Sequence, residues 1–277
     1  MKKWASSIAS AFFVICGIFS VYFLLGFLYA LKQGYFFAVL FLLFGVISGA
    51  ISLIGLFIAK AFNRMSPEEV KAFEGYRTLA EKGDREAQFS LGLRYDNGEG
   101  VAKDEVEAVK WYRKAADQGH AKAQFSLGYC YFNGRGVAKD EVEAVKWYRK
   151  AADQEDAKAQ LNLGYCYFNG RGAAKDEVEA VKWYRKAADQ GHAKAQFNLG
   201  TCYRNGHGVA KDEVEAYAFY NLAGITNENA RKNLAILEKG MSPDARLRGQ
   251  QRSKELQKEI ETKIAAKQAE DVKKAGK

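Results

Sequence analysis

Residues 121–156 read AKAQFSLGYCYFNGRGVAKDEVEAVKWYRKAADQED and residues 157–192 read AKAQLNLGYCYFNGRGAAKDEVEAVKWYRKAADQGH, identical at 31 of 36 positions. A fixed period of this length marks a stacked repeat architecture, in which one unit cannot bury its apolar face alone. Two further copies flank the pair, at 85–120 and 193–230, and a half copy occupies 67–84. The predicted fold is therefore all-α, a solenoid of helix-turn-helix units with a 36-residue period over residues 66–240.

Each unit reads as two helices. The second opens on Asp140 as N-cap with Glu143 three residues on, the spacing of a capping box in which each side chain satisfies an orphan amide of the other's backbone. Asp104, Asp176 and Asp212 repeat the cap. Val142, Val145, Tyr148 and Ala152 then fall on one face, widened by Ala144, Trp147 and Ala151, which leaves Glu141, Arg149 and Lys150 for solvent. The first helix, about Lys122 to Phe132, ends at Asn133-Gly134, where glycine supplies a left-handed C-cap. Gly128 stands inside it at a cost of about 1 kcal/mol relative to alanine. Its recurrence as Gly92, Gly164 and Gly200 predicts a crossing too close for a Cβ.

The text from Ala121, A-x-A-Q-F-x-L-G-x-x-Y-x-N-G-x-G-V-x-K-D-x-x-x-A-x-x-W-Y-R-K-A-A-x-Q-G, resembles the Sel-one-like repeat, a relative of the tetratricopeptide repeat, over about residues 67–240. The resemblance implies a right-handed superhelix of helical hairpins. It also implies an adaptor of protein complexes, commonly in bacterial signalling, envelope organisation or host interaction. Some secreted members of that family hold a disulfide in every repeat. Here the repeats carry only Cys130, Cys166 and Cys202, spaced 36 apart. Equivalent positions in stacked units lie about 10 Å apart or more, beyond the roughly 7 Å that a disulfide spans. These thiols read as small core hydrophobes.

The amino-terminal residues 1–65 are of another kind. Trp4 to Leu31 and Gln33 to Ala59 are two runs of 28 and 27 residues without a charged side chain, separated by Lys32. They read as two transmembrane helices, about 5–31 and 35–59, because lipid tolerates only backbone that satisfies its own hydrogen bonds. A cleaved signal peptide fits less well: the apolar run is about twice the usual 7–15 residues, no A-x-A-like site follows, and a second span comes next. The short connection demands an antiparallel hairpin. Lys2, Lys3, Lys60 and Arg64 on one side, against Lys32 on the other, place both termini and the repeats in the cytoplasm of an inner-membrane protein. Gly45 and Gly49, four apart, give a small-residue face suited to packing within the hairpin or to a homodimer seam.

Residues 241–277 change character again. Leu256, Ile260 and Ile264 form an i, i+4, i+8 stripe, and ten bases against six acids from Asp244 onward supply +4 of the net charge of +9. A basic helix capping the last repeat is expected, its bases alternatively meeting an anionic leaflet, with a disordered end from about Asp271.

Chemistry finds few candidates. The three histidines, His120, His192 and His207, have no metal-ligand spacing, no Cys-x-x-Cys occurs, and no glycine-rich phosphate loop follows a strand. No catalytic residue, cofactor or metal is assigned, and the chain reads as a non-catalytic scaffold. The Trp-Tyr-Arg-Lys tetrads at 111–114, 147–150 and 183–186 would suit nucleic acid if exposed, but their aromatics follow the buried stripe, so no nucleic acid is expected. Copies of the repeat differ most near the end of the first helix and its loop. There Tyr129, Phe132, Arg135, Tyr165, Phe168, Arg171, Arg204 and His207 form a strip of residue types enriched at protein interfaces, and they are the candidate partner-binding residues. The bland alternative is that Tyr129 and Phe132 pack on neighbouring repeats. The expectation is a membrane-anchored adaptor that binds a protein partner, the bilayer being its second contact. Two other readings are an outward-facing envelope enzyme or cell-wall-binding protein, and a nucleic-acid-binding solenoid at the membrane.

Overall fold

A computed structural model describes residues 67–275. The two apolar runs, Lys32, Cys16, and Gly45 with Gly49 lie outside the described residues, and none of the described helices is long and apolar enough to cross a membrane.

The described chain is a succession of helices: α1 (Pro67–Glu81), α2 (Arg85–Asn97), α3 (Glu105–Asp117), α4 (Ala121–Asn133), α5 (Glu141–Asp153), α6 (Ala157–Asn169), α7 (Glu177–Ala188), α8 (Ala193–Asn205), α9 (Glu213–Gly224), α10 (Glu228–Gly240) and α11 (Pro243–Ala275). From α1 to α10 each helix packs on the next, while α11 turns back and packs on α9. Helices α2, α4, α6 and α8 open the four repeats and α3, α5, α7 and α9 close them; α1 is the closing helix of the half copy.

Burial runs between units as well as within them. One core cluster joins Ala144, Val145, Tyr148, Ala151 and Ala152 of α5 to Ala159, Leu163 and Cys166 of the following α6, with Trp183 of α7 as its lid. The same arrangement recurs one unit earlier, where Trp147 closes the cluster of α3 and α4. A single repeat therefore lacks half of its own core, which is why such arrays are stable only when stacked. A polar seam runs beside it. Buried Gln88, Gln124, Gln160 and Gln196 each donate to a carbonyl of the preceding repeat, those of Ala80, Ala116, Ala152 and Ala188. Gln118, Gln154 and Gln190 of the junctions donate in turn to the side-chain oxygens of Gln88, Gln124 and Gln160.

Gly128 is a close approach, as its recurrence predicts: a Cβ there would stand 2.8 Å from the Tyr148 ring and 3.2 Å from the Ala144 carbonyl oxygen. A second one is tighter. Gly136, at φ +64, would place a Cβ 2.0 Å from the backbone oxygen of Glu105, so each loop lies directly on the first turn of the preceding closing helix.

Several expectations require correction. Val142 is 56% exposed, as are Val106 and Val178 at 54% each. Position 142 lies in the first turn, before the helix reaches the neighbours that bury Val145, Tyr148 and Ala152. The capping box is half formed. Asp140 accepts from the Glu143 amide at 2.9 Å, but the Asp140 amide donates to the Tyr131 carbonyl at 2.9 Å, and Glu143 instead takes Lys146 at 2.9 Å. The last turn of α4 supplies the acceptor that the glutamate would have supplied. Arg149 is not simply solvated, since it donates to the Tyr167 hydroxyl of the next repeat, and Lys150 stacks over Trp147 at 3.9 Å.

The carboxy-terminal stripe buries as its spacing requires, Leu256 at 3% and Ile260 at 7% exposed, with Ile264 partly buried beside them. The helix does more than cap the end. It runs from Arg252 on Glu215 (2.7 Å) to Lys263 on Asp189 (2.7 Å) and Lys267 on Glu155 (2.9 Å), strapping three units together. The helix continues to Ala275, through residues from Asp271 expected to be disordered, with Asp271, Val272 and Lys273 exposed.

Candidate protein-interaction surface

The strip where the copies differ divides into two sets. In the first, one position on the opening helix meets one position in the loop of the following repeat. Asp96 meets Arg135 as an ion pair at 2.7 Å; Phe132 meets Arg171, whose guanidinium lies 4.1 Å from the ring centroid; Phe168 meets His207 edge-on at 5.6 Å. Arg204 closes the series by donating to Asn233 of α10 at 3.3 Å. The pairs are thus acid with arginine, aromatic with arginine and aromatic with histidine, one partner changing at each step. Each of these loop side chains also reaches the first turn of the preceding closing helix. Arg135 is 3.0 Å from Glu105, Arg171 pairs with Glu141, and His207 is 3.3 Å from Glu177. The Arg171 guanidinium and the Lys139 ammonium hold the Glu141 carboxyl down at about 2. Phe132, Arg135, Phe168, Arg171, Arg204 and His207 therefore serve repeat-to-repeat stacking in this structure.

The second set is Tyr129 and Tyr165, 41% and 40% exposed. Arg135 and Arg171 flank their rings at 5.9 Å each, and Arg171 also donates to the Tyr165 hydroxyl at 3.4 Å. Tyr129 also borders a groove of about 900 Å³ that crosses three opening helices and reaches α10, with Phe125 on α4, Lys158 and Leu161 on α6, His192 and Lys194 at the start of α8, and Asn227 at the start of α10.

His192 departs from its counterpart. His120 accepts the Ala123 amide through Nδ1 at 3.1 Å, faces Glu86 through Nε2 at 3.0 Å, and stacks on Phe89. His192 makes no side-chain cap, and its buried Nδ1 has no hydrogen-bond partner. Burial lowers its pKa from the ordinary histidine value, and Lys194 and Lys158 act in the same direction. The position opposite changes from Glu86 to Lys158, one helix turn that sequence reasoning passed over although the substitution stands in plain view.

Elsewhere the side chains are committed to packing. Cys130, Cys166 and Cys202 are buried free thiols, each pushed up to about 12 by burial. The tetrad aromatics Trp111, Trp147 and Trp183 with Tyr112, Tyr148 and Tyr184 are buried, so they present no ring for a base to stack on. Among the described residues no group of three or more histidine, cysteine, aspartate or glutamate side chains is placed to hold a metal ion.

Comparison with known proteins agrees with this geometry. The model of the Sel1 repeat matches residues 85–120, 121–156, 157–192 and 193–224. A protective antigen of uropathogenic Escherichia coli strains displaying an SLR fold shares 38% identity over 72% of this chain, with a TM-score of 0.65; the matched region is 43% of that protein. A Sel1 repeat protein from Oxalobacter formigenes shares 38% identity over 73% of this chain and 84% of its own, with a TM-score of 0.59. No match was found among curated proteins.

Proposed function

This chain belongs to the Sel1 repeat family, and from that premise we propose that it is a non-catalytic scaffold which recruits a protein partner to a membrane. The observation that carries the reading is the surface around Tyr129 and Tyr165. Two half-exposed tyrosines stand on successive opening helices, one of them at the rim of a groove that crosses four helices. An elongated, shallow surface of this kind suits a protein segment better than a small molecule, which calls for a deep cavity with convergent polar groups. Tyrosine contributes large rigid contact area with a polar end.

The membrane part rests on the charge-free runs 4–31 and 33–59. They make the protein an inner-membrane hairpin with both termini and the repeats in the cytoplasm. Anchoring then raises the local concentration of whatever the repeats hold.

Proximity labelling from the full-length protein in cells tests the scaffold. Tyr129→Ala with Tyr165→Ala should lower partner recovery at least about 10-fold, as the loss of two hot-spot rings implies, with an unchanged far-UV spectrum; undiminished recovery refutes the assignment of this surface. An alkaline phosphatase fused after Lys277 should be inactive, and activity there refutes the orientation.

A further inference from the structure

Resting on the scaffold reading, we propose that the groove across α4, α6, α8 and α10 receives an extended acidic segment of the partner, whose carboxylates are held by Lys158 and Lys194 at the uncapped start of α8.

The first support is an imbalance of charge. Most lysines of a repeat are engaged: Lys139 with Glu141 at 3.0 Å, Lys146 with Glu143 at 2.9 Å, Lys175 with Glu177 at 2.8 Å and Lys182 with Glu179 at 3.1 Å, while Lys150 and Lys186 each stack on a tryptophan at 3.9 Å. The lysine at the second place of each opening helix behaves differently. Lys122, Lys158 and Lys194 are exposed, and among the described residues none has a hydrogen bond or ion pair. Two of the three line the groove. The carboxylate among its lining residues, Glu228, is taken by Lys232 at 2.7 Å.

The second support is the local failure of polar satisfaction. A buried ring nitrogen without a partner forfeits a hydrogen bond that folding normally supplies, and the Nδ1 of His192 is such an atom. The same residue leaves α8 without a side-chain cap, whereas Asp156 caps α6 at 2.8 Å and His120 caps α4 at 3.1 Å. A carboxylate entering between Lys158 and Lys194 would offset the positive end of α8 that His192 leaves uncapped.

The third support is the apolar part of the lining. Phe125, Tyr129 and Leu161 give the groove apolar surface, which a peptide uses through its intervening side chains and a polyphosphate does not. A nucleic acid would also need a longer basic track and open stacking rings, and the tetrad tryptophans are buried.

The test uses the full-length protein and a fluorescein-labelled peptide of four Glu-Ser-Gly triplets, with the glutamine isostere as reference, read by anisotropy. The acidic peptide should bind and the glutamine peptide should not. Lys158→Glu with Lys194→Glu, both at exposed positions, should weaken binding at least about 10-fold, whereas Lys254→Glu with Lys258→Glu on α11 should change it by less than about 2-fold. Equal binding of the two peptides, or equal loss in the two variant pairs, overturns the proposal. So does stronger binding of an oligothymidylate or of vesicles containing phosphatidylserine, which assigns the groove to a different occupant. Proximity labelling separates this proposal from the reading beneath it: undiminished partner recovery in the Lys158→Glu, Lys194→Glu variant overturns the acidic segment and leaves the scaffold standing.

Discussion

Gly136→Ala should uncouple the first repeat from the second, and its cost divides into two parts. The backbone at Gly136 has φ +64, a left-handed conformation that costs an L-residue about 1–2 kcal/mol. The added Cβ would also stand 2.0 Å from the Glu105 carbonyl oxygen and 2.4 Å from its carbon. These are backbone atoms in the first turn of α3, so no rotamer relieves the contact, and the loop must lift away from the helix. Overpacking of this kind costs about 1–3 kcal/mol, for a total of about 2–5. Gly119→Ala is the internal reference. Its φ is +81, and nothing lies within 4 Å of the built Cβ, so it bears only the conformational part. Alanine also restricts the unfolded chain at either site, which cancels in the difference. Urea denaturation followed by circular dichroism should place Gly136→Ala about 1–3 kcal/mol below Gly119→Ala. Hydrogen exchange should locate the loss at the junction of the first two repeats, because solenoid stability is a sum of units and nearest-neighbour interfaces. Equal destabilisation of the two variants would refute the loop-on-helix contact as a source of stacking energy.

Three further outcomes follow from the packing. Cys130, Cys166 and Cys202, with thiols pushed up to about 12, should resist iodoacetamide at pH 8 in the folded protein and react fully in urea; peptide mass spectrometry that found them alkylated under native conditions would contradict their burial. Val142→Ala should change stability by less than about 0.5 kcal/mol, because the side chain is 56% exposed, whereas Val145→Ala, at 8% exposed, should lose about 1–3 kcal/mol in the same denaturation experiment. Glu141 has its carboxyl lowered from 4.5 to about 2 by Arg171 and Lys139. Its contribution is therefore complete above about pH 4.5 and is lost as the pH falls towards 2, so Glu141→Gln should flatten the acid limb of the melting temperature, and an unchanged limb would deny the pair a role.

Sequence made the repeat legible because its signals are local. Asp140 at the cap, Gly134 at the helix end and Gly128 at the crossing each need a particular residue type whatever lies beyond, and a 36-residue recurrence shows them several times over. The candidate strip was legible only as a place. Variation among copies identified the positions, but variation has two sources, and both occur here. Phe132 with Arg171 and Phe168 with His207 meet across an interface between repeats, a pairing that a single aligned column does not reveal. Tyr129 and Tyr165 remained open to solvent.

By itself, then, the sequence determined the all-α repeat, its period, its caps and turns, and the burial of the cysteines and of Leu256 and Ile260. Tertiary structure alone decided which part of each apolar face is covered. A helical period assigns residues to a side, but coverage depends on where the neighbour's surface ends, and for α5 it leaves Val142 outside while covering Val145. It also decided who supplies each polar partner. The Tyr131 carbonyl in the last turn of α4 took the Asp140 amide in place of Glu143, and the exchange of Glu86 for Lys158 removed the acid that faces Nε2 at the equivalent His120. Hydrogen bonds and charges are settled by distances between units, and those distances exist only once the units are stacked.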